Sequence, residues 1–370
     1  MTLSPKDAIG FIVETLEGDI TKRHRVLLHG PPGVGKSKAL VAVAKLMNAN
    51  LYDLRLLQLE APDIRGLTMI DPASGETKHM RPEFLPVYTE NPNATKVIIF
   101  LDELLGTHDS VRKSAFELIL DHRVGPHRLG DNVYLIGAGN SAEDGTNVYE
   151  LDAATADRFC HIMLEPTIQG FVEHGNENGF HPALLAFIQS HPECLMPTEQ
   201  DIQIGNIARP SPRSLERCSE VLYRNYSKAI YRNAAIKGWI GEYAGSLLIT
   251  DLDDAASRFD LMKLIQAKPE DREYPTSQFG IYNLAQSLAS YADTPEKLDT
   301  AMEIMLATPD TLNHAVEECK TSFFFAVEAK MRNWKLIAKY AVDPRVGHFL
   351  DRTDEIINGA DRPDDLREAA

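Results

Sequence analysis

The sequence predicts an α/β domain built on a parallel sheet, followed by a wholly helical region. Three observations carry that expectation. Val97–Leu101 and Val133–Gly137 are continuous apolar runs, as in strands buried on both faces. A glycine-rich stretch, Gly30–Ser37, lies between the apolar run Val26–Leu28 and a segment of helical periodicity. After about residue 166 the strand signal fades, and apolar residues recur mainly at helical spacing.

Taken in order, Thr2 to Gly18 reads as an amphipathic helix with Ala8, Ile9, Ile12, Val13 and Leu16 on one face. Ser4-Pro5 supplies its start. Arg25–His29 is a short strand, and the helix after the glycine loop carries Ala39, Leu40, Val43, Ala44 and Met47. Leu51–Leu54 is a second strand. Glu60 to Pro86 is polar and turn-rich, with Asp63-Ile64-Arg65-Gly66 and a hairpin around Gly75 as candidates to face a partner or a pore. Helices over Ser110–Leu120 and Leu151–Asp157 flank the strand Val133–Gly137, and His161–Leu164 is the last core strand.

Beyond it, His181-Pro182 opens a helix to about Ser190, Ile202–Ala208 is a linker, and Ser211-Pro212 opens the next helix. Further helices are expected at 227–238, 239–249, 254–267, 277–291 and 295–307, with a long one over 310–341. The acidic tail after Asp361 reads as a frayed end. The expected domains are an α/β nucleotide-binding core at 1–200, a helical lid at 201–265 and a C-terminal helical region at 266–370.

Gly30-Pro31-Pro32-Gly33-Val34-Gly35-Lys36-Ser37 fits G-x-x-x-x-G-K-[ST], the phosphate-binding P-loop. Glycines let backbone N–H groups turn inward around a polyphosphate, and the helix that follows adds its positive dipole end. Lys36 is placed to neutralise the β- and γ-phosphates, and Ser37 to hold Mg²⁺. Asp102-Glu103 ends a buried strand. An aspartate there positions Mg²⁺ or its water shell, and the glutamate beside it can polarise the water that attacks the γ-phosphate of ATP. Asn140, just past the next buried strand, is placed to hold that water or the γ-phosphate. Arg158 and Arg213 are the candidate cations for a dissociative phosphoryl transition state.

Composition bounds the rest. Of the 370 residues, 44% are hydrophobic and 25% charged, an ordinary globular balance. The net charge of −16 argues against broad nucleic-acid binding. No apolar run approaches the roughly 18 residues that span a membrane. Asp7, Glu14 and Glu17 are unlike a secretion signal. Cys160, Cys194, Cys218 and Cys319 are scattered without a C-x-x-C pair, which points to a reducing, cytoplasmic setting.

Together the motifs resemble a MoxR-type AAA+ ATPase of the dynein-related AAA subgroup. The resemblance is carried by GPPGVGKS, EAPDIRG, VIIFLDELL, LIGAGN, YELDAATADRF and SPRS, in family order from about 25 to 220. It implies a P-loop AAA+ αβα core with a helical lid. In that frame Gly30–Ser37 is Walker A, Asp102 and Glu103 are Walker B, Asn140 is sensor 1, Arg158 the arginine finger and Arg213 sensor 2. It further implies ATP and Mg²⁺, a homo-oligomeric ring that is usually a hexamer, a partner with a von Willebrand factor A domain, and remodelling of a protein client. One departure stands out. Family members often carry Asn-Arg two and three positions after the glutamate, where this chain has Leu105 and Gly106. Arg112 and Arg123 are the candidates to replace that arginine. The alternatives are a nucleic-acid motor of the restriction-translocase kind, a small-molecule kinase or GTPase, and a nucleotide-binding scaffold with little turnover.

Overall fold

The computed structural model describes residues 2–17, 25–86, 95–140, 151–198, 207–309 and 314–358. Most of the expected linker Ile202–Ala208 and the acidic tail lie outside the described residues. The chain divides into two compact units, Met1–Gly170 and Phe171–Ala370.

The first unit is organised by a six-stranded parallel sheet. Its strands are β1 (Thr2–Leu3), β2 (Val26–His29), β3 (Asn50–Arg55), β6 (Val97–Asp102), β9 (Val133–Gly139) and β10 (Cys160–Leu164). They lie in the order β1-β10-β2-β9-β6-β3. In β6 and β9 the apolar runs are buried along nearly their whole length, because helices cover both faces. Val26, Leu28, Ile98, Phe100 and Ile136 point to the face covered by α1 (Pro5–Leu16) and α2 (Lys36–Leu46). Leu27, Ile99, Leu101 and Leu135 point to the face covered by α4 (Asp109–Asp121). Each such side chain contributes about 1.5–3 kcal/mol on burial, which fixes the register against a one-residue slip.

Several local expectations are refined. The helix expected from Thr2 begins at Pro5, with Ser4 Oγ accepting from Asp7 N at 3.1 Å, and Thr2–Leu3 instead pairs in parallel with Met163–Leu164. Glu60–Pro86 contains a five-residue helix, α3 (Ala61–Arg65). It also holds the expected hairpin, of β4 (Thr68–Ile70) and β5 (Thr77–His79). A second small hairpin, β7 (Arg123–Val124) with β8 (His127–Arg128), follows α4 and had no clear sequence signal because its strands are two residues long.

The second unit is helical. α6 (Ile168–Glu177) had not been expected. α7 (Pro182–Ser190) is the helix opened by His181-Pro182, and every residue from Ala183 to Ile188 is buried. The helix lies in the second compact unit, Phe171–Ala370. There α7 packs along Gln278–Tyr291. The helix expected over 239–249 runs Glu242–Asp253, and the one over 254–267 shortens to Leu261–Gln266. The long helix over 310–341 is two, His314–Asn333 and Ile337–Ala341, separated where Lys335 takes φ of 57°. A further helix, Pro344–Asn358, follows. Among the described residues no helix is long and apolar enough to cross a membrane.

Candidate functional site

Parallel strands all present their carboxyl ends on one edge, and the polar candidates of the first unit gather there. After β2 the chain enters the glycine loop. Gly30 has φ of 152°, and a Cβ on it would stand 2.7 Å from the Leu164 carbonyl oxygen. Gly35 takes φ of 107° immediately before α2, and no side chain caps that helix start. Leaving the first N–H groups uncapped by side chains suits an anion.

Lys36 is buried, and its ammonium donates to the carbonyls of Gly30 at 2.6 Å and Pro31 at 3.3 Å and to Asn140 Oδ1 at 2.9 Å. Ser37 Oγ donates to Asp102 Oδ2 at 3.2 Å. Thus β2, β6 and β9 bring Lys36, Ser37, Asp102 and Asn140 together from positions far apart in sequence. The Ser37 hydroxyl and the Asp102 carboxylate are hard oxygen donors of the kind that suit Mg²⁺.

Glu103 adjoins them in an unusual backbone state, with φ of 60°. For a non-glycine residue that conformation is costly and persists only when its neighbours enforce it. Here Glu103 N donates to Asp102 Oδ1 at 2.9 Å, Leu104 N to the Ala138 carbonyl at 2.8 Å and Gly106 N to the Glu103 carbonyl at 3.1 Å. The Leu104–Ala138 bond ties the turn carrying Glu103 to the strand that ends at Asn140.

Leu105 fills the position where the resembled family often has Asn. It is buried against Gly139, where an added Cβ would lie 2.6 Å from Leu105 Cγ. Arg112 does not stand at the Gly106 position. It is buried in α4, with its guanidinium on the Thr107 carbonyl at 3.2 Å and on Asp109 Oδ1 at 2.7 Å. Arg123 is exposed on the β7–β8 hairpin. Arg65 is engaged by Glu117 at 3.7 Å.

Arg158 follows α5 (Ala153–Ala156), whose first turn is capped by Asp152. Its side chain is exposed, and among the described residues its guanidinium has no hydrogen-bond or ion-pair partner. Arg213 belongs to the second unit. It is exposed in the first turn of Pro212–Tyr223, behind the N-cap Ser211.

Two features at this edge were not anticipated. Asp53 in β3 has its carboxyl raised above the usual range, first by burial and then by the charge of Asp102. His29, just before Gly30, lies 2.8 Å from His161 (Nε2 to Nδ1), and His161 Nε2 is 2.8 Å from the Ala156 carbonyl. With that carbonyl as acceptor, His161 Nε2 donates, so Nδ1 accepts from His29. The pair thereby links the strand entering the glycine loop to the turn that precedes Arg158. Burial, then His161, then Lys36 push the His29 pKa down to about 4. A histidine adjoining Gly30 was the only local hint.

Residues 26–166 match the family model described as "ATPase family associated with various cellular activities (AAA)". A proteasome-associated ATPase of Pseudarthrobacter chlorophenolicus is 32% identical over 130 residues, covering 31% of this chain and 22% of that protein. The match thus spans only about a fifth of that relative's length. Replication factor C subunit 3 of Oryza sativa is 37% identical over 62 residues, 16% of this chain and 17% of that one. Among solved structures, the Holliday junction branch migration motor RuvB of Thermotoga maritima aligns over 81% of this chain and 86% of its own, at 17% identity and a TM-score of 0.34. The six-stranded parallel sheet with its glycine loop, flanked by helices and followed by a helical unit, is the AAA P-loop fold.

Proposed function

We propose that the chain is an ATP-hydrolysing, ring-forming remodeller of the MoxR kind, acting on a protein client. The observation that carries the reading is the joining of Lys36 to Asn140 at 2.9 Å and of Ser37 to Asp102 at 3.2 Å, beside Glu103. The glycine loop, one ammonium and two hard oxygen donors would form a cradle for a nucleotide polyphosphate with Mg²⁺.

In this reading Gly30–Ser37 hold the phosphates, and Ser37 and Asp102 hold Mg²⁺, which would neutralise charge on the β- and γ-oxygens. Glu103 orients and polarises the attacking water, and Asn140 senses the γ-phosphate. Arg158, exposed and unengaged among the described residues, serves a neighbouring subunit's nucleotide as the finger in trans. Arg213 is the sensor of a helical lid over 201–265, and 266–370 form the C-terminal region. A hexamer and a partner with a von Willebrand factor A domain follow from the resemblance, and a cytoplasmic setting from the scattered cysteines. The four free cysteines accord with that setting. The local match to a replication factor C subunit keeps a nucleic-acid motor as the second reading. Salt-sensitive retention of labelled DNA, coupled to turnover, would favour it.

The test is light-scattering mass and ATP turnover of wild type and Glu103→Gln. We expect the 41.2 kDa chain to shift towards six copies with ATP and Mg²⁺. Turnover in the variant should fall by about 10²-fold or more while ATP stays bound. Arg158→Ala should bind ATP and hydrolyse it poorly, and mixing it with Glu103→Gln subunits should restore part of the turnover. A monomer with turnover indifferent to Glu103→Gln would sink the shared-interface reading.

A further inference from the structure

We propose that Arg112 is a positioning residue that clamps the turn carrying Glu103. The inference rests on the reading of Glu103 as the water-polarising carboxylate and deepens it.

The placement of Arg112 is costly on two counts. Its side chain is only 4% exposed, and taking a guanidinium out of water is costly unless its donors are satisfied. It also sits in the first turns of α4, where the helix dipole disfavours a cation. Asp109, at the first position of the helix, offsets part of that cost. Helix stability alone therefore gives no reason for an arginine here.

What the guanidinium does is fix the exit of the turn. One arm donates to the Thr107 carbonyl at 3.2 Å and another to Asp109 Oδ1 at 2.7 Å, so the planar fork spans the junction between turn and helix. Thr107 is pinned again through its hydroxyl, which donates to the Leu56 carbonyl at 3.0 Å. At the entry, Leu104 N is fixed to the Ala138 carbonyl at 2.8 Å, and Leu105 is wedged on Gly139. Glu103, at φ of 60°, lies just ahead of these anchors and is tied to the exit by its carbonyl, which accepts from Gly106 N at 3.1 Å, one residue before Thr107. Releasing the exit lets that backbone relax towards ordinary dihedrals and swings the carboxylate away from the water it must orient. Arg112 thus acts through Glu103. The second arginine that the resembled family places near this turn is answered here by a buried clamp rather than by a cation offered to the phosphates.

The test compares Arg112→Gln and Arg112→Lys with wild type for kcat, KM, binding of a fluorescent ATP analogue, and amide exchange across residues 103–107. Gln removes the charge and one arm, and Lys keeps the charge but cannot span both acceptors. We expect kcat to fall about tenfold or more in Gln and roughly threefold in Lys. Analogue binding should stay within about twofold of wild type, with exchange faster at 103–107 and unchanged at 30–37. Wild-type kcat in either folded variant overturns the clamp, as does a kcat loss matched by an equal loss of binding. If Gln does not fold, Lys decides alone. The underlying reading fails separately, if Glu103→Gln leaves turnover intact.

Discussion

The two units differ in where backbone strain and polar groups gather. In the first, Asn48, Gly66, Gly75, His122 and Gly125 take positive φ at helix ends and turns, but Gly30, Gly33, Gly35 and Glu103 take it at the carboxyl edge of the sheet beside Lys36, Ser37 and Asp102. In the second, positive φ occurs at Gly179, Gly241 and Lys335, where one helix gives way to the next. Several buried polar groups there bond one another or nearby carbonyls. Gln286 donates to Gln189 at 3.1 Å and to Ser322 at 3.0 Å, and Lys330 donates to the carbonyls of Ala289 and Ala292 at 2.6 and 3.0 Å. Polar groups directed at one another build a scaffold, and polar groups gathered at strand ends beside a strained loop build a site.

The largest test of that contrast is Lys36→Ala. It removes the ammonium that bridges the loop to Asn140. ATP affinity should drop by about a hundredfold or more by equilibrium titration, since a charge-assisted phosphate contact is lost. A drop below threefold would break the assignment of the first unit as the site.

Two glycines sharpen it. A Cβ at Gly139 would stand 2.6 Å from Leu105 Cγ, and one at Gly280 would stand 2.7 Å from Pro275 Cβ and 2.9 Å from Ser257 Cα. Both alanine variants should lose about 1–3 kcal/mol in denaturant titrations. Only Gly139→Ala should also lower kcat, because it displaces the turn beside Asn140. Equal loss of turnover in both would erase the distinction between the units.

The smallest effect is shared by both. His29 in the first unit and His181 in the second have pKa values lowered from 6.5 to about 4, chiefly by burial. Between those values the unfolded chain binds more protons than the folded one. The stability these groups contribute is therefore full above about pH 6.5 and declines as pH falls towards about 4. Denaturation midpoints at pH 7.5, 6 and 5 should record a loss on the order of 1–2 kcal/mol per histidine. His181 Nδ1 accepts from Ala183 N at 3.2 Å as the cap of α7. His181→Asn keeps a capping oxygen without a titrating ring, so it should flatten the acid loss and leave ATP binding unchanged.

Much of this was legible in the sequence. The apolar runs of β6 and β9, the glycine loop and the Asp102-Glu103 pair announce themselves locally, because a strand buried on both faces must be apolar throughout and a phosphate loop must be rich in glycine. Helix starts at Ser4-Pro5, His181-Pro182 and Ser211-Pro212 were legible for the same reason, since caps act within one turn. Illegible were β1, which is a strand only because β10 lies beside it, and α6.

At the site, the sequence by itself determined which chemical groups are present and that they fall at strand ends, because strand and helix periods are properties of neighbouring residues. Only the tertiary structure decided which of those groups meet. Parallel register sets Lys36 against Asn140 across 104 positions, His29 against His161 across 132, and Leu105 against Gly139. Such pairings follow from the packing of strands and helices distant in sequence, and no local pattern encodes that distance.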